Sequence, residues 1–461
     1  MPTGGGRIRQ RSLRVVVVAA VVALGAACTP DGEAPPPPQS SSATPAPATL
    51  ALSVYGPGPV LQAYRQVAAD YSERHPDMAV EVQTHAGRDA ELADVRARTD
   101  AGTPPDLFLI DHDALAGVLG RAWPGAEHGP LPLSQPVDEL LGERHLPFGD
   151  GYNRVGLEAF SLGARLQCMP VELSPMVVYY NTDLLRLGRI ARPGDDPVTP
   201  DAGWTFDDFA RAARLASGAD HKGLAVDPSL EQVASFVWSG GGDVVDDDQD
   251  PSTTTLSDGA STAAMQRLLE LARNPRLTFG ADELARRSAV QRFRAGQLGM
   301  LLGFRALTPS LRTADNLHFD VMPMPRLRTP ATIGSVKALC LSRGSQHVQA
   351  AADLLAHLVS DDAAEALAGT GYVMPSNLDA VNEREFLQPD QQPAHARVFD
   401  EAVPGIEFLP SGGHWPQARA VVDQALAQLW SRPVIDPLDR RLEAIDRATH
   451  GILAPEPRGN Q

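Results

Sequence analysis

Two spacings of apolar residues alternate along the chain from Leu50 onward. "TLALSVYG" (49–56) is a short apolar run closed by glycine and predicts a buried strand and a turn. In "VLQAYRQVAADYSERHP" (60–76), Val60, Leu61, Tyr64, Val67, Ala68 and Tyr71 fall on one helical stripe that Pro76 ends. "MAVEVQTH" then predicts a strand, "ELADVRARTDAG" a helix and "PDLFLIDHD" a third strand. Strands alternating with helices predict an α/β domain with a largely parallel sheet, whose ligands sit beyond the carboxyl ends of the strands. Tyr55 and Gly56 lie at one such end, and Asp111, His112 and Asp113 at another.

The pattern continues after a proline-punctuated stretch from Trp123 to about Leu166. "LQCMPVELSPMVVYYNTDLLRLG" predicts two extended runs broken at Pro170 and a helix starting at Asn181-Thr182-Asp183. In "GWTFDDFARAARLAS", Thr205 is placed to cap a helix, with Asp207 and Asp208 in the first turn where the helix dipole favours negative charge. "KGLAVD" predicts a strand. "SLEQVASFVWSGGGDVV" predicts an apolar helix with Trp238 in its core stripe, ended by glycines. Helices over "GASTAAMQRLLELARN", "ELARRSAVQRFRAGQ" and "SQHVQAAADLLAHLVS" enclose strands over "LGMLLGF", "FDVMPMP" and "VKALCLS".

The beginning of the chain differs. Arg7, Arg9, Arg11 and Arg14 precede an apolar stretch, Val15 to Ala27, too short for the roughly twenty residues of a membrane-spanning helix. Small residues then lead to Cys28. This is the form of a secretory signal, residues 1–27, and its Leu-Gly-Ala-Ala-Cys end resembles a bacterial lipobox, which makes Cys28 a lipidation site. Residues 28–49, rich in Pro, Ser, Thr and Ala, cannot bury enough apolar surface to fold. Extended, such a linker spans on the order of 60 Å at about 3.1 Å per residue.

Composition narrows the function. The formal charge of −17 becomes more negative once the leader's arginines are gone, and no basic stripe is present, which disfavours nucleic acid as a partner. Cys168 and Cys340 remain after Cys28; one disulfide or two buried free thiols are both compatible with an exported chain. There is no Gly-x-Ser-x-Gly elbow, His-Glu-x-x-His helix, Cys-x-x-Cys pair or phosphate loop. "DDDQDP" from Asp246 has proline and serine where a calcium loop needs glycine and glutamate, and reads as a solvated turn. Neither a metal nor a cofactor is expected.

Five segments in order carry a family resemblance. They are "MPVELSPMVVYYNTDLL", "GWTFDDFARAARLA", "FVWSGGGDVVDDDQDPSTTTLSDGASTAAMQRLLEL", "RFRAGQLGMLLGF" and "ALCLSRGSQHVQAAADLLAHLVSDDAAEALAGTGYVMPS". Together they resemble the extracellular solute-binding proteins of ABC transporters, family 1, over nearly all of residues 50–455. The resemblance implies two α/β lobes, residues 50–169 with 341–403 and residues 170–340 with 412–455. Crossings near 168–172, 338–342 and 403–412 join them, and a hinge closes on a solute held between them. It implies a monomer on the outer face of the cell membrane, touching the bilayer through lipid alone. Its partners are then a small polar solute, a carbohydrate or sugar derivative, and permease subunits with a cytoplasmic ATPase. By position it points to Asp113 and Glu172 as acceptors of ligand hydroxyls, with Tyr55 and Asp111 beside them. Trp415 is placed to stack on the ligand, and Phe304 and Arg305 to line the cleft. Arg305 stands where many members carry an aromatic. The competing expectation is a lipid-anchored carbohydrate-active enzyme in which Asp111, Asp113 and Glu172 supply paired carboxylates.

Overall fold

A computed structural model describes residues 48–120, 132–432 and 437–454. The expected signal, Cys28 and the expected linker as far as residue 47 lie outside the described residues. The strands in chain order are β1 (Ala48–Tyr55), β2 (Met78–His85), β3 (Leu107–Asp111), β4 (Ser134–Gln135), β5 (Ser161–Leu162), β6 (Arg165–Leu166), β7 (Met169–Pro175), β8 (Val177–Asn181), β9 (Lys222–Ala225), β10 (Leu298–Gly303), β11 (Phe319–Met322), β12 (Thr332–Ser342) and β13 (Ile406–Glu407).

β12 is the axis of the larger sheet, ordered β13-β12-β3-β1-β2, with β4 and β7 also paired to β12. β1 runs parallel to β2 and β3, while β12 runs antiparallel to both β3 and β7. The register sets Lys337 opposite Asp111 on one side and Glu172 on the other. A smaller sheet, ordered β11-β8-β10-β9, follows. Its alternation divides two cores. Val177 and Tyr179 of β8 join a cluster with Leu50, Phe108 and Leu339, whereas Val178 and Tyr180 join one with Trp204, Phe236 and Leu426. A sheet covered on both faces needs apolar residues at every position, as "VVYY" supplies.

Several elements form for reasons visible in the sequence. Thr205 and Asp208 make a reciprocal capping box at the start of the Phe206–Leu215 helix. This helix lies so close to β9 that a Cβ on Gly223 would sit 1.8 Å from the Ala213 carbonyl oxygen. Elsewhere the structure corrects the sequence reading. The segment "ELARRSAVQRFRAGQ" is two helices, because Ser288 with Gln291 caps a new start. Asn181 begins a turn and no helix: its side-chain oxygen accepts from the Asp183 and Leu184 amides. Cys168 and Cys340 form a disulfide between fully buried sulfurs beside the β7–β12 pairing.

Candidate functional site

Two strand ends and two mid-strand residues bring polar and charged groups together on one side of the larger sheet. Adjacent β1 and β3 end in Tyr55 and Asp111, and the Tyr55 hydroxyl donates to Asp111 Oδ2 at 2.5 Å. Lys337 of β12 donates from Nζ to Glu172 Oε2 of β7 at 2.8 Å and lies 6.0 Å from the centre of the Tyr55 ring. Burial pushes the Asp111 carboxyl above its ordinary range, opposed by Lys337 and the Tyr55 hydroxyl. Burial alone would lower the Lys337 ammonium, but Glu172 and Asp111 outweigh it and hold its proton more tightly than usual. One lysine thus serves two carboxylates in a nearly dry setting.

A cavity of about 360 Å³ opens beside this group. Asp111, His112, Asp113 and Arg88 wall it from the larger sheet, and Glu231, Phe304 and Arg419 from elements of the smaller sheet and its helices. Residues 333–336 of β12 form part of the wall. Arg88 Nη1 donates to Asp113 Oδ2 at 2.5 Å, and Arg419 Nη2 to Glu231 Oε2 at 3.1 Å. Neither Asp111 nor Asp113 caps a helix with its side chain. A second cavity of about 290 Å³ shares His112, Phe408 and Leu409 with the first and extends to Glu158, Leu162 and Asp248. The two cavities are thus neighbours, with His112 and Phe408, ring centres 4.9 Å apart, bordering both. Burial lowers the His112 imidazole, so it is neutral at pH 7. Gly412, with φ +82°, packs against Ala116 of the second cavity's lining: a Cβ there would lie 2.1 Å from the Ala116 Cβ.

A profile of the bacterial extracellular solute-binding proteins matches residues 66–394. The chain belongs to that family. No curated protein matches the sequence significantly. Among solved structures, the substrate-binding protein Lmo0181 from Listeria monocytogenes, in complex with cycloalternan, is 16% identical with a TM-score of 0.71, covering 87% of this chain and 98% of its own. A cyclo/maltodextrin-binding protein complexed with maltotetraose is also 16% identical at TM-score 0.71, covering 90% of this chain and 100% of its own. UgpB from Mycobacterium tuberculosis, in complex with glycerophosphocholine, is 16% identical at TM-score 0.67, covering 88% of this chain and 98% of its own. The fold of this solute-binding protein is accordingly the two-lobed periplasmic-binding type.

Of the residues expected in the cleft, Asp111, Asp113 and Phe304 line it. Tyr55 and Glu172 lie just behind and act on it through Asp111 and Lys337. Two expectations are corrected. Arg305 is fully buried; its Nη2 donates to the Phe386 carbonyl, and the Phe386 and Phe399 rings lie 4.8 and 5.4 Å from the guanidinium carbon. It pairs with neither Asp111 nor Glu172; Lys337 fills that role. Trp415 is 4% exposed and packs in the second core with Ala418, Val422 and Leu426, its successors on one helical stripe.

Sequence reasoning placed His112 at a ligand-facing strand end but missed Arg88, Glu231, Lys337, Phe408 and Arg419. For Lys337 a signal existed: a charge inside an otherwise apolar strand, "VKALCLS". Arg88 follows a strand end, as Asp113 does. For Arg419 no sequence signal is visible. The acidic turn at Asp246 is a turn, with Asp246 accepting from the Ser252 and Thr253 amides, but Asp248 beyond it borders the second cavity.

Proposed function

We propose that this protein is the capture component of an ABC importer and binds a neutral, polyhydroxylated solute, a carbohydrate or sugar derivative, between its lobes. The supporting observation is the pairing inside the cleft: Arg88 with Asp113, Arg419 with Glu231, and Lys337 with Glu172 near Asp111. Such a wall offers many acceptors and donors, and each of its three cations is engaged by a carboxylate. An anionic solute would have to compete for cations already engaged. Phe304, Phe408 and neutral His112 add flat faces for the apolar side of a sugar ring. The ligands in the neighbouring structures named above include oligosaccharides, which agrees with this chemistry. The pairing also favours binding over hydrolysis, since Asp113 is held by a guanidinium and Asp111 by a phenol.

In this reading Cys28 carries the lipid, the linker lets the two lobes reach a permease, and the protein acts as a monomer on the outer face of the membrane. The lobes follow the two sheets: β7 and β12 pair within the larger one, so the expected boundaries at 169/170 and 340/341 move to about 175 and 332, and the hinge closes on the solute.

Thermal-shift screening of the full chain against oligosaccharides, polyols and glycerophosphodiesters tests the ligand class. A solute at 100 times its Kd is expected to add about 2.7 kcal/mol. Stabilisation by anions alone would overturn the neutral assignment, and turnover of a bound oligosaccharide would favour an enzyme. Replacing Cys28 with alanine is expected to move the protein from membrane to soluble fractions. Solution scattering is expected to show a smaller radius of gyration with the stabilising solute.

A further inference from the structure

Arg305 places a positive charge in the core with no side-chain counter-ion. It opens a helical segment running through Thr308 to Arg312. Its side chain is 0% exposed, and Nε and Nη1 are buried without a protein acceptor. Arg312 lies seven residues further along, on the same face. Its Nη1 donates to Gln388 Oε1 and its Nε to the Gln392 carbonyl, while Nη2 is buried and unaccepted. Both guanidiniums thus converge on residues 386–392, Arg305 through the Phe386 carbonyl. No carboxylate pairs with either among the described residues.

From this convergence we propose that Arg305 and Arg312 form a buried binding site for a small monovalent anion of the chloride class. Three unaccepted donors on two cations call for an acceptor, and water supplies one. Water leaves the charge uncompensated, however, and an unpaired ion taken out of bulk water costs several kcal/mol. The two phenyl faces against Arg305 offset part of that cost. Burial and neighbouring Arg312 push Arg305 down, yet only to about 10, so at neutral pH it keeps its proton and the charge stays. An anion supplies the missing charge while accepting from one Arg305 donor and from Arg312 Nη2, and the other Arg305 donor, on a different edge of the guanidinium, is left to water. Enclosure favours a small ion, and half-buried Arg312 provides its way in. The site stands directly behind the cleft wall: Arg305 follows Phe304, and its backbone amide donates to Ser174 Oγ of β7 at 3.0 Å.

Crystals of the full chain grown with bromide in place of chloride test the site directly. The expected result is an anomalous peak within hydrogen-bonding distance of Arg305 and Arg312; ordered water alone there overturns the proposal. Thermal melts in chloride and in gluconate at equal ionic strength give a second reading. The wild type is expected to gain a saturable chloride-dependent rise in Tm. Arg312→Gln, altered at the half-buried member, is expected to stay folded and lose that dependence. An equal chloride response in the wild type and Arg312→Gln, or no response in the wild type, counts against the site.

Discussion

Replacing both Cys168 and Cys340 with alanine isolates the contribution of the disulfide. The two residues are 172 positions apart, and the loop between them contains the whole smaller sheet and the helices over it as far as Arg312. In the chain-entropy account a crosslink removes freedom from the unfolded chain by an amount that grows with the logarithm of loop length. A 100-residue loop is worth about 4.7 kcal/mol, and extending it to this length gives about 5 kcal/mol. That figure is an upper value, because residual structure in the unfolded chain takes up part of the entropy. Both sulfurs are fully buried, so alanine also loses packing, though only of one small atom on each side. At about 2.1 cal/mol/K per residue, the described 392 residues have an unfolding entropy near 0.8 kcal/mol/K, so 5 kcal/mol corresponds to a fall in Tm of about 6 °C. Calorimetry of the wild type, the double variant and the reduced wild type, with thiol counting by mass spectrometry, measures this. Unchanged Tm in a fully reduced wild type would refute the reasoning, since it would mean that the crosslink constrains nothing the unfolded chain explores.

Three further outcomes follow from the same geometry. Lys337→Met removes the cation shared by Glu172 and Asp111 and is expected to cost about 3–5 kcal/mol, the usual penalty for stranding a buried partner; urea unfolding checks it. Glu91 is fully buried, its Oε1 accepts from the Leu109 amide, and burial raises its carboxyl to about 9. The unfolded carboxyl loses its proton near 4.3 while the folded one keeps it, so stability falls as pH rises from about 4.3 to 9; in pH-dependent melts Glu91→Gln is expected to flatten that decline. Trp415→Ala is expected to lower stability by about 3–5 kcal/mol, as large core truncations do, with solute affinity unchanged in the fraction that stays folded; a selective loss of affinity in calorimetry would return Trp415 to the cleft.

The elements were legible where local chemistry decides them, and the site where it coincides with strand ends. β1, β3 and the helix capped by Thr205 appear in the sequence because alternation, helical stripes and caps act over a few residues. Tyr55, Asp111 and Asp113 came from the rule that ligands gather beyond the carboxyl ends of strands. What failed was side-chain direction. Phe304 lines the cavity, yet its neighbour Arg305 faces the core, and position along a family pattern does not distinguish the two. Trp415 was readable after all: Trp415, Ala418, Val422, Leu426 and Leu429 recur at helical spacing, and that stripe outweighs the glycine-rich loop before it. Likewise Ser288-x-x-Gln291 was a visible cap that splits a helix, hidden by the apolar positions on either side.

The distribution of charge suits the proposed hinge closure, which it makes cheap. Arg88–Asp113 and Lys337–Glu172 both lie on elements of the larger sheet, whereas Arg419–Glu231 joins two helices that pack in the second core. Each pair is closed within one wall, so moving the walls apart breaks none of them and strands no charge. The partly exposed pairs, Arg88–Asp113 and Arg419–Glu231, are worth about 0–1 kcal/mol each, too little to latch the lobes in any case. Polar links across the cleft are then left for the solute to make. Each solute hydroxyl that meets a partner on both walls exists in the closed state alone, and that differential is the free energy by which a ligand shifts a hinge. A solute filling one wall only would bind without closing the protein, so affinity and closure are expected to separate for short sugars and to coincide for those long enough to reach from Asp113 to Glu231.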